Sequence, residues 1–403
     1  MVVKILPKVP ITSLGSVRST CRTWEAISEK HLLAAASKNQ FLGFILKDFD
    51  VCSMKFDLQG IHDDGNDFIL PSVKEVSRLD QYEISQIFHC DGLLLCVFKD
   101  NNNSRLMVWN MYLNQVRWIK PSDVFNRFSK SGVYALGYDS KTRNHKILRE
   151  KSHGDFGYEI YDFNSDSWRV VKGNTPDAYT QFEEQGGLSL KGNTYFLAVQ
   201  EYPVRFEGDE EEGVDGEDTS PTRVILLCFD FTKESFGRRM KLPFHSEGDG
   251  QDQVSLSCVR DEKLAVLYQD YKTLDIWIST ELQPKASWSE FLKVDLMTLD
   301  GFPDDFVAGS FFIDEEKHVA VVFEKEVKIG SCCSAYIIGQ DGFFKAVKIG
   351  DAPAQYNRLP FVCTTAFAPS LVDLKNVKTS VKRKRKFLNL FHFLVDLFLS
   401  SSS

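Results

Sequence analysis

The residues with the most chemical potential stand together in "FHCDGLLLC", where His89, Cys90 and Asp91 are consecutive. A thiol, an imidazole and a carboxylate are the parts of a cysteine-nucleophile triad. In such triads, however, the groups meet across a fold, whereas neighbours on a strand point to opposite faces. The structural reading is a turn made by Asp91-Gly92 between two apolar strands. Cys332-Cys333 reads similarly as a strand edge. The eight histidines form no H-x-x-x-H pair and no His/Cys cluster at zinc spacing. Asp and Glu total 56, enough for a glycosidase-type carboxylate pair, but chain order does not say which two would face one another. "GDGQDQ" and "GVDGED" are turns rather than strand-to-helix phosphate loops. Neither a metal nor a cofactor is expected.

A second constellation lies near the start, in "SLGSVRSTCRTW". Leu14, Val17, Cys21 and Trp24 are spaced three, four and three apart, which puts them on one face of a helix. Thr12 or Ser13 can cap that helix after Pro10, and Ser28 can cap a second through "EKHLLAAASK". A helical piece of roughly 40 residues is near the size that needs outside support to fold. Its apolar face therefore meets either a partner protein or the rest of the chain.

The remainder of the chain must position these groups, and it reads as strand and turn. Of 403 residues, 43% are hydrophobic and 13% aromatic, including 32 Phe, a composition that favours strands. From Phe41 onward short apolar runs alternate with Gly-, Asn- and Asp-bearing turns. An aromatic followed by Asn or Asp recurs as Trp109-Asn110, Tyr161-Asp162 and Phe229-Asp230. Six residues past the polar member stands Val116, Trp168 or Phe236. With Trp277 as a fourth anchor the intervals are 52, 68 and 48 residues, the long one holding an acidic insertion. A period near ~50 residues with about four strands per unit is that of kelch-like propeller blades. Counting an early unit over Phe41 to Leu70, the chain is expected to be mainly β, a propeller-like domain of about six degenerate blades. "FVCTTAFAPSLVDL" would pair back into the first unit to close the ring. A pair of β-sandwiches is the alternative.

The net charge of −8 argues against a general nucleic-acid binder, which needs a basic surface to release counterions. Two blocks concentrate the charge: Glu207 to Asp218 has eight acids and Lys375 to Lys386 has seven bases. Both compositions are those of solvated segments. The nine cysteines are scattered without C-x-x-C pairs and mostly sit in apolar runs, as reduced thiols do. No secretory signal is read in "MVVKILPKVPIT", so the expected compartment is the nucleus, the cytoplasm or both. "KRKRK", Lys382 to Lys386, has the composition of a nuclear import signal or an anionic-surface patch. The thirteen residues Phe387 to Leu399 are too few to span a bilayer, which takes about 20, though they could lie on its surface.

"ILPKVPITSLGSVRSTCRTWEAISEKHL", Ile5 to Leu32, resembles the plant F-box, I-L-x-x-[LV]-P-x-x-S-L-x-x-x-R-x-x-C-[KR]-x-W. Ile5, Leu6, Val9, Pro10, Ser13, Leu14, Arg18, Cys21, Arg22 and Trp24 carry the match. "VCSMKFDLQGI", "HCDGLLLC", "RLMVWNMYLNQVRWI", "LGYDSKTRNHKILR", "YEIYDFNSDSWRV" and "LKGNTYFLA" resemble the F-box-associated domain of crucifer-type F-box proteins. The resemblance implies a non-catalytic substrate receptor of an SCF ubiquitin ligase. Residues 1–40 would be an F-box docking a Skp-type adaptor, and through it a cullin. Residues 41–374 would recruit a protein for ubiquitination, and 375–403 would be an appended basic and apolar tail. Adaptor contacts are then expected from Ile5, Leu6, Val9, Pro10, Leu14, Val17, Arg18, Cys21 and Trp24. Against the family pattern the F-box opens about eight to ten residues late, so weaker adaptor binding than a full F-box gives is expected. The rival readings are an adaptor-independent protein-binding propeller and a propeller hydrolase with carboxylates at its channel.

Overall fold

Polar turns recur along the chain, and each closes a hairpin of one small sheet. The computed structural model describes residues 41–47, 50–56, 58, 72–77, 83–99, 105–111, 113, 115–120, 133–151, 157–176, 180–183, 186–200, 223–246, 252–282, 286–325, 333–350, 362–363, 370 and 372–374. The proposed F-box, the acidic run and the basic tail lie outside the described residues.

Blade 1 contains β1 (Phe41–Lys47), β2 (Asp50–Phe56) and β3 (Ser72–Ser77). Blade 2 is β4 (Glu83–Cys90), β5 (Leu93–Lys99), β6 (Leu106–Asn110) and β7 (Gln115–Ile119). Blade 3 is β8 (Tyr134–Tyr138), β9 (His145–Glu150), β10 (Tyr158–Asp162) and β11 (Ser167–Val170). Blade 4 has β12 (Thr180–Phe182), β13 (Leu188–Leu190), β14 (Asn193–Gln200), β15 (Arg223–Asp230) and β16 (Ser235–Phe236). Blade 5 is β17 (Gln253–Val259), β18 (Lys263–Gln269), β19 (Thr273–Glu281) and β20 (Ser287–Asp295). Blade 6 is β21 (Ala308–Asp314), β22 (Val319–Glu324), β23 (Cys333–Gly339) and β24 (Phe344–Gly350). The last strand, β25 (Val362–Cys363), returns to blade 1, whose order is β25-β1-β2-β3. The described residues thus form six sheets, each an antiparallel meander, in the propeller arrangement expected from the repeat. In blade 4 the innermost strand is split into β12 and β13, both paired with β14.

The aromatic–Asx spacing has a local cause. Trp109 pairs with Val116, Tyr161 with Trp168 and Phe229 with Phe236 across the two outer strands of their blades. The polar residue between them closes the turn. Asp162 Oδ1 accepts from the Asn164 and Ser165 amides at 2.8 and 3.2 Å, and Asp230 Oδ1 from Thr232 and Lys233 at 2.9 Å each. Asn110 Oδ1 accepts from Leu113 at 3.0 Å. These Asx turns fold the outer strand back in register. Trp277 departs from the pattern. It is followed by Ile278 rather than Asn or Asp, and it pairs with Glu290 because this hairpin does not turn until beyond Glu281.

A blade has two apolar faces and can bury them only against its neighbours. Six core clusters do this, one at each seam. Phe44 and Val51 of blade 1 meet Ile87 and Phe98 of blade 2. Leu95 and Val108 meet Leu136 and Ile147. Ala135 and Ile160 meet Phe196 and Phe229. Leu226 and Cys228 meet Cys258 and Leu264. Leu267 and Ile276 meet Phe311 and Val322. Phe312 and Phe323 return to Met54 and Phe56 of blade 1, so the clusters form a closed circuit. Each fully buried Phe contributes about 1.5–3 kcal/mol. Glycine is required where inner strands approach most closely. A Cβ on Gly137 would lie 2.2 Å from the Phe231 ring and 2.5 Å from Gly192 O.

Closure comes from the far end of the chain, as the sequence suggested. Cys363 pairs with Phe44 and Val362 with Ile45, which makes β25 the innermost strand of blade 1. Beyond it, buried Asn110 donates from Nδ2 to Ser370 O at 3.0 Å and Val372 O at 2.9 Å. Leu374 N donates to Gln115 Oε1 at 2.7 Å, and the Leu374 side chain joins the seam between blades 2 and 3.

Candidate functional site

Because each blade is a meander, its turns divide between two faces of the ring. The turns joining first to second and third to fourth strands lie on one face, called proximal here. Side chains link them from blade to blade. Arg143 reaches Asp91, Ser140 reaches Thr232, and Arg260 reaches Glu316. The second-to-third turns and the connections between blades lie on the other, distal face. β1 runs from the proximal to the distal side, so it begins proximally at Phe41. The segment 370–374 is also proximal, held on the turn that begins at Asn110. The distal face thus lies away from both of these connections.

The triad-like cluster sits on the proximal face. Asp91 and Gly92 form the two-residue turn between β4 and β5, with φ of 53° and 71°, the positive values a type I′ hairpin turn needs. The Asp91 carboxylate receives Arg143 Nη2 at 2.9 Å on each oxygen and lies 3.3 Å from His145 Nε2. Burial pushes Asp91 up, but the bonds from His145 and Arg143 more than offset this and hold it below the usual carboxylate range. Arg143 also stacks on Tyr138, 3.8 Å from the ring centroid. The assembly clamps blade 2 to blade 3.

His89 and Cys90 do not act on one another. His89 Nε2 accepts the Gly92 amide at 3.2 Å, and burial lowers its pKa to about 4. Burial drives the Cys90 thiol far up, so it carries no thiolate at neutral pH. A second carboxylate, Asp261, occupies the β17–β18 turn at φ 55° and accepts from Cys258 Sγ at 3.8 Å. Burial raises it to about 6, with Asp91 adding repulsion. Sequence reasoning missed Arg143, His145 and Asp261, since nothing in their spacing marks three separate turns as neighbours. Cys52, Cys90, Cys96, Cys228 and Cys258 are buried thiols outside any disulfide. Among the described residues no group of three or more His, Cys, Asp and Glu could hold a metal ion.

Opposed titrations arise at this site. His89 is neutral in the fold until about pH 4, while an unfolded His takes its proton near 6.5. Acidification through that window therefore removes stability, about 3 kcal/mol at most. Asp261 is protonated in the fold below about 6 and in the unfolded chain only below 3.8, so acidification there adds stability, somewhat less because it is half-buried. The wild-type melting temperature should change little between pH 6 and 4 on account of this pair. Asp261→Asn, which keeps a residue tolerant of positive φ, should make the melting temperature fall over that range. His89→Gln should make it rise. Parallel profiles for both variants and wild type would show that neither group is coupled to folding.

Ile5, Leu6, Val9, Pro10, Leu14, Val17, Arg18, Cys21 and Trp24, expected to bind an adaptor, lie outside the described residues. On the described surface the large exposed apolar side chains are Trp118 and Val170, on outer strands of blades 2 and 3, and Tyr271, Met297 and Val307, on the distal side of blade 5. No described helix is long and apolar enough to cross a membrane.

Comparison with known proteins agrees with this architecture. Residues 42–374 match the model of the F-box associated beta propeller domain. An F-box/kelch-repeat protein of Arabidopsis thaliana is 47% identical over 409 residues, covering 95% of this chain and 97% of that protein. An F-box protein of the same plant is 47% identical over 393 residues, covering 96% and 97%. Another F-box protein is 45% identical over 394 residues, covering 92% and 96%. With six blades, their closing strand and the family motifs all in place, the chain belongs to the plant F-box proteins that carry an F-box-associated β-propeller domain.

Proposed function

We propose that this chain is the substrate-recognition subunit of an SCF-type ubiquitin ligase. Residues 1–40 would dock a Skp-type adaptor, and through it a cullin, while the propeller holds the protein to be ubiquitinated. The chain itself would be non-catalytic, ubiquitin transfer belonging to other subunits, and it would act in the nucleus, the cytoplasm or both. The observation that carries this reading is near-full-length similarity to F-box proteins. β1 begins at Phe41 on the proximal face, a geometry compatible with an adaptor held there and a substrate on the distal face.

The test is co-expression with a plant Skp-type adaptor and cullin, followed by size-exclusion chromatography. The three should elute together, and Leu14→Asp with Val17→Asp should release the receptor from the other two. Elution of the wild-type chain alone would move it to the adaptor-independent reading, a propeller that binds protein outside ubiquitination.

A further inference from the structure

The distal crest of blade 5 carries three large apolar side chains in solvent. Tyr271, 89% exposed, tips the turn between β18 and β19, while Met297 and Val307, 72% and 38% exposed, lie on the connection from β20 to β21. Hydrogen bonds make this one stiff surface. Leu296 N donates to Lys272 O at 2.8 Å, and Asp295 Oδ1 accepts from Met297 N at 3.0 Å. The Gln269 side chain donates to Phe306 O at 2.8 Å and accepts from Ala308 N at 2.6 Å, gripping the backbone on either side of Val307. Lys325 N donates to Val307 O at 2.7 Å. Backbone held this way positions its exposed apolar groups in advance, which lowers the ordering cost of binding. Elsewhere on the described surface such groups stand on outer strands rather than clustering on a crest.

The charge in the loops that carry these side chains is mainly acidic. Residues 270–273 and 295–307 contain five acids, Asp270, Asp295, Asp300, Asp304 and Asp305, against one base, Lys272. Lys272 already lies 3.9 Å from Asp295, and Asp300 and Asp304 are exposed. An apolar centre with an acidic rim favours a complementary partner and repels an acidic one.

We propose that this crest seats a short segment of the recruited protein in which an apolar side chain is flanked by Lys or Arg. The apolar residue packs among Tyr271, Met297 and Val307, and the cations face Asp300 and Asp304. An Arg in the segment can also lie over the Tyr271 ring. This rests on the receptor reading above, but its test needs no adaptor, so the two can fail separately.

The full-length chain, immobilised without adaptor, is used to select from a displayed library of random dodecapeptides, and a synthetic consensus peptide is then titrated. Apolar residues flanked by Lys or Arg should be enriched. The consensus peptide should lose at least tenfold in affinity to Tyr271→Ala/Met297→Ala, about threefold to Asp300→Asn/Asp304→Asn, and further with added salt. All four side chains are exposed, so an unchanged melting temperature certifies the variants. Equal binding by wild type and both variants, enrichment of acidic peptides, or no enrichment would overturn the proposal. So would competition at the crest by a peptide of the chain's own residues 375–403, or a wild-type dimer in sedimentation that Tyr271→Ala/Met297→Ala dissolves.

Discussion

Replacing Trp24 by alanine is expected to lower the affinity for a Skp-type adaptor at least a hundredfold and leave the propeller's melting temperature unchanged. Leu14, Val17, Cys21 and Trp24 share a helix face by their spacing, and Trp24 is the largest of the four. Interfaces of this kind concentrate their energy in a few buried aromatic and aliphatic side chains. A hundredfold loss corresponds to about 2.7 kcal/mol, within the range for removing one such aromatic. Arg18→Ala, which removes the polar contacts expected of this residue, should cost about tenfold or less. Titration calorimetry against the adaptor and a thermal melt of the free chain separate the two places this face could go. If the helix packs on the propeller instead, Trp24→Ala will lower the melting temperature and spare adaptor affinity. That outcome would remove these residues from the adaptor interface.

Ending the chain after Gly350 is expected to abolish a cooperatively folded propeller, whereas ending it after Leu374 should not. The shorter chain lacks β25, so blade 1 loses its innermost strand and β1 becomes an open edge at the channel. Unpaired edges of this kind promote intermolecular pairing. Buried Asn110 simultaneously loses both carbonyl partners, Ser370 and Val372, at about 1–3 kcal/mol for each unsatisfied group. Leu374 leaves the seam between blades 2 and 3. Set against a typical total stability of about 5–15 kcal/mol, these losses together are comparable to the whole. The chain ending at Leu374 keeps all of these contacts. Its melting temperature should lie within a few degrees of full length, which would show that folding does not need the basic and apolar tail. Soluble, cooperative unfolding of the chain ending at Gly350 would show that the ring does not depend on its closing strand.

The start of β1 at Phe41 and the described residues 370 and 372–374 lie on the proximal face, while the crest of blade 5 is distal.

The sequence by itself determined the blade grammar, because that grammar is local. An Asx turn is satisfied within three residues and its flanking pair lies seven apart, so Trp109/Val116, Tyr161/Trp168 and Phe229/Phe236 were legible as spacing alone. The Asp91-Gly92 turn and the buried thiols were legible for the same reason. Where local geometry broke, spacing misled. The β19–β20 hairpin runs on to Glu281 and Ser287 before it turns, which pairs Trp277 with Glu290, and the first blade extends past Leu70 to β3 at Ser72–Ser77. Only the tertiary structure decided which turns meet. Arg143 finds Asp91 across 52 residues and Asn110 finds Ser370 across 260, distances set by the rotation between blades. The same rotation brings Asp261 within electrostatic reach of Asp91, and hydrogen bonds tie together the loops that carry Tyr271, Met297 and Val307. No periodicity encodes such meetings, because each seam is formed by residues whose separation along the chain depends on the lengths of the loops between them.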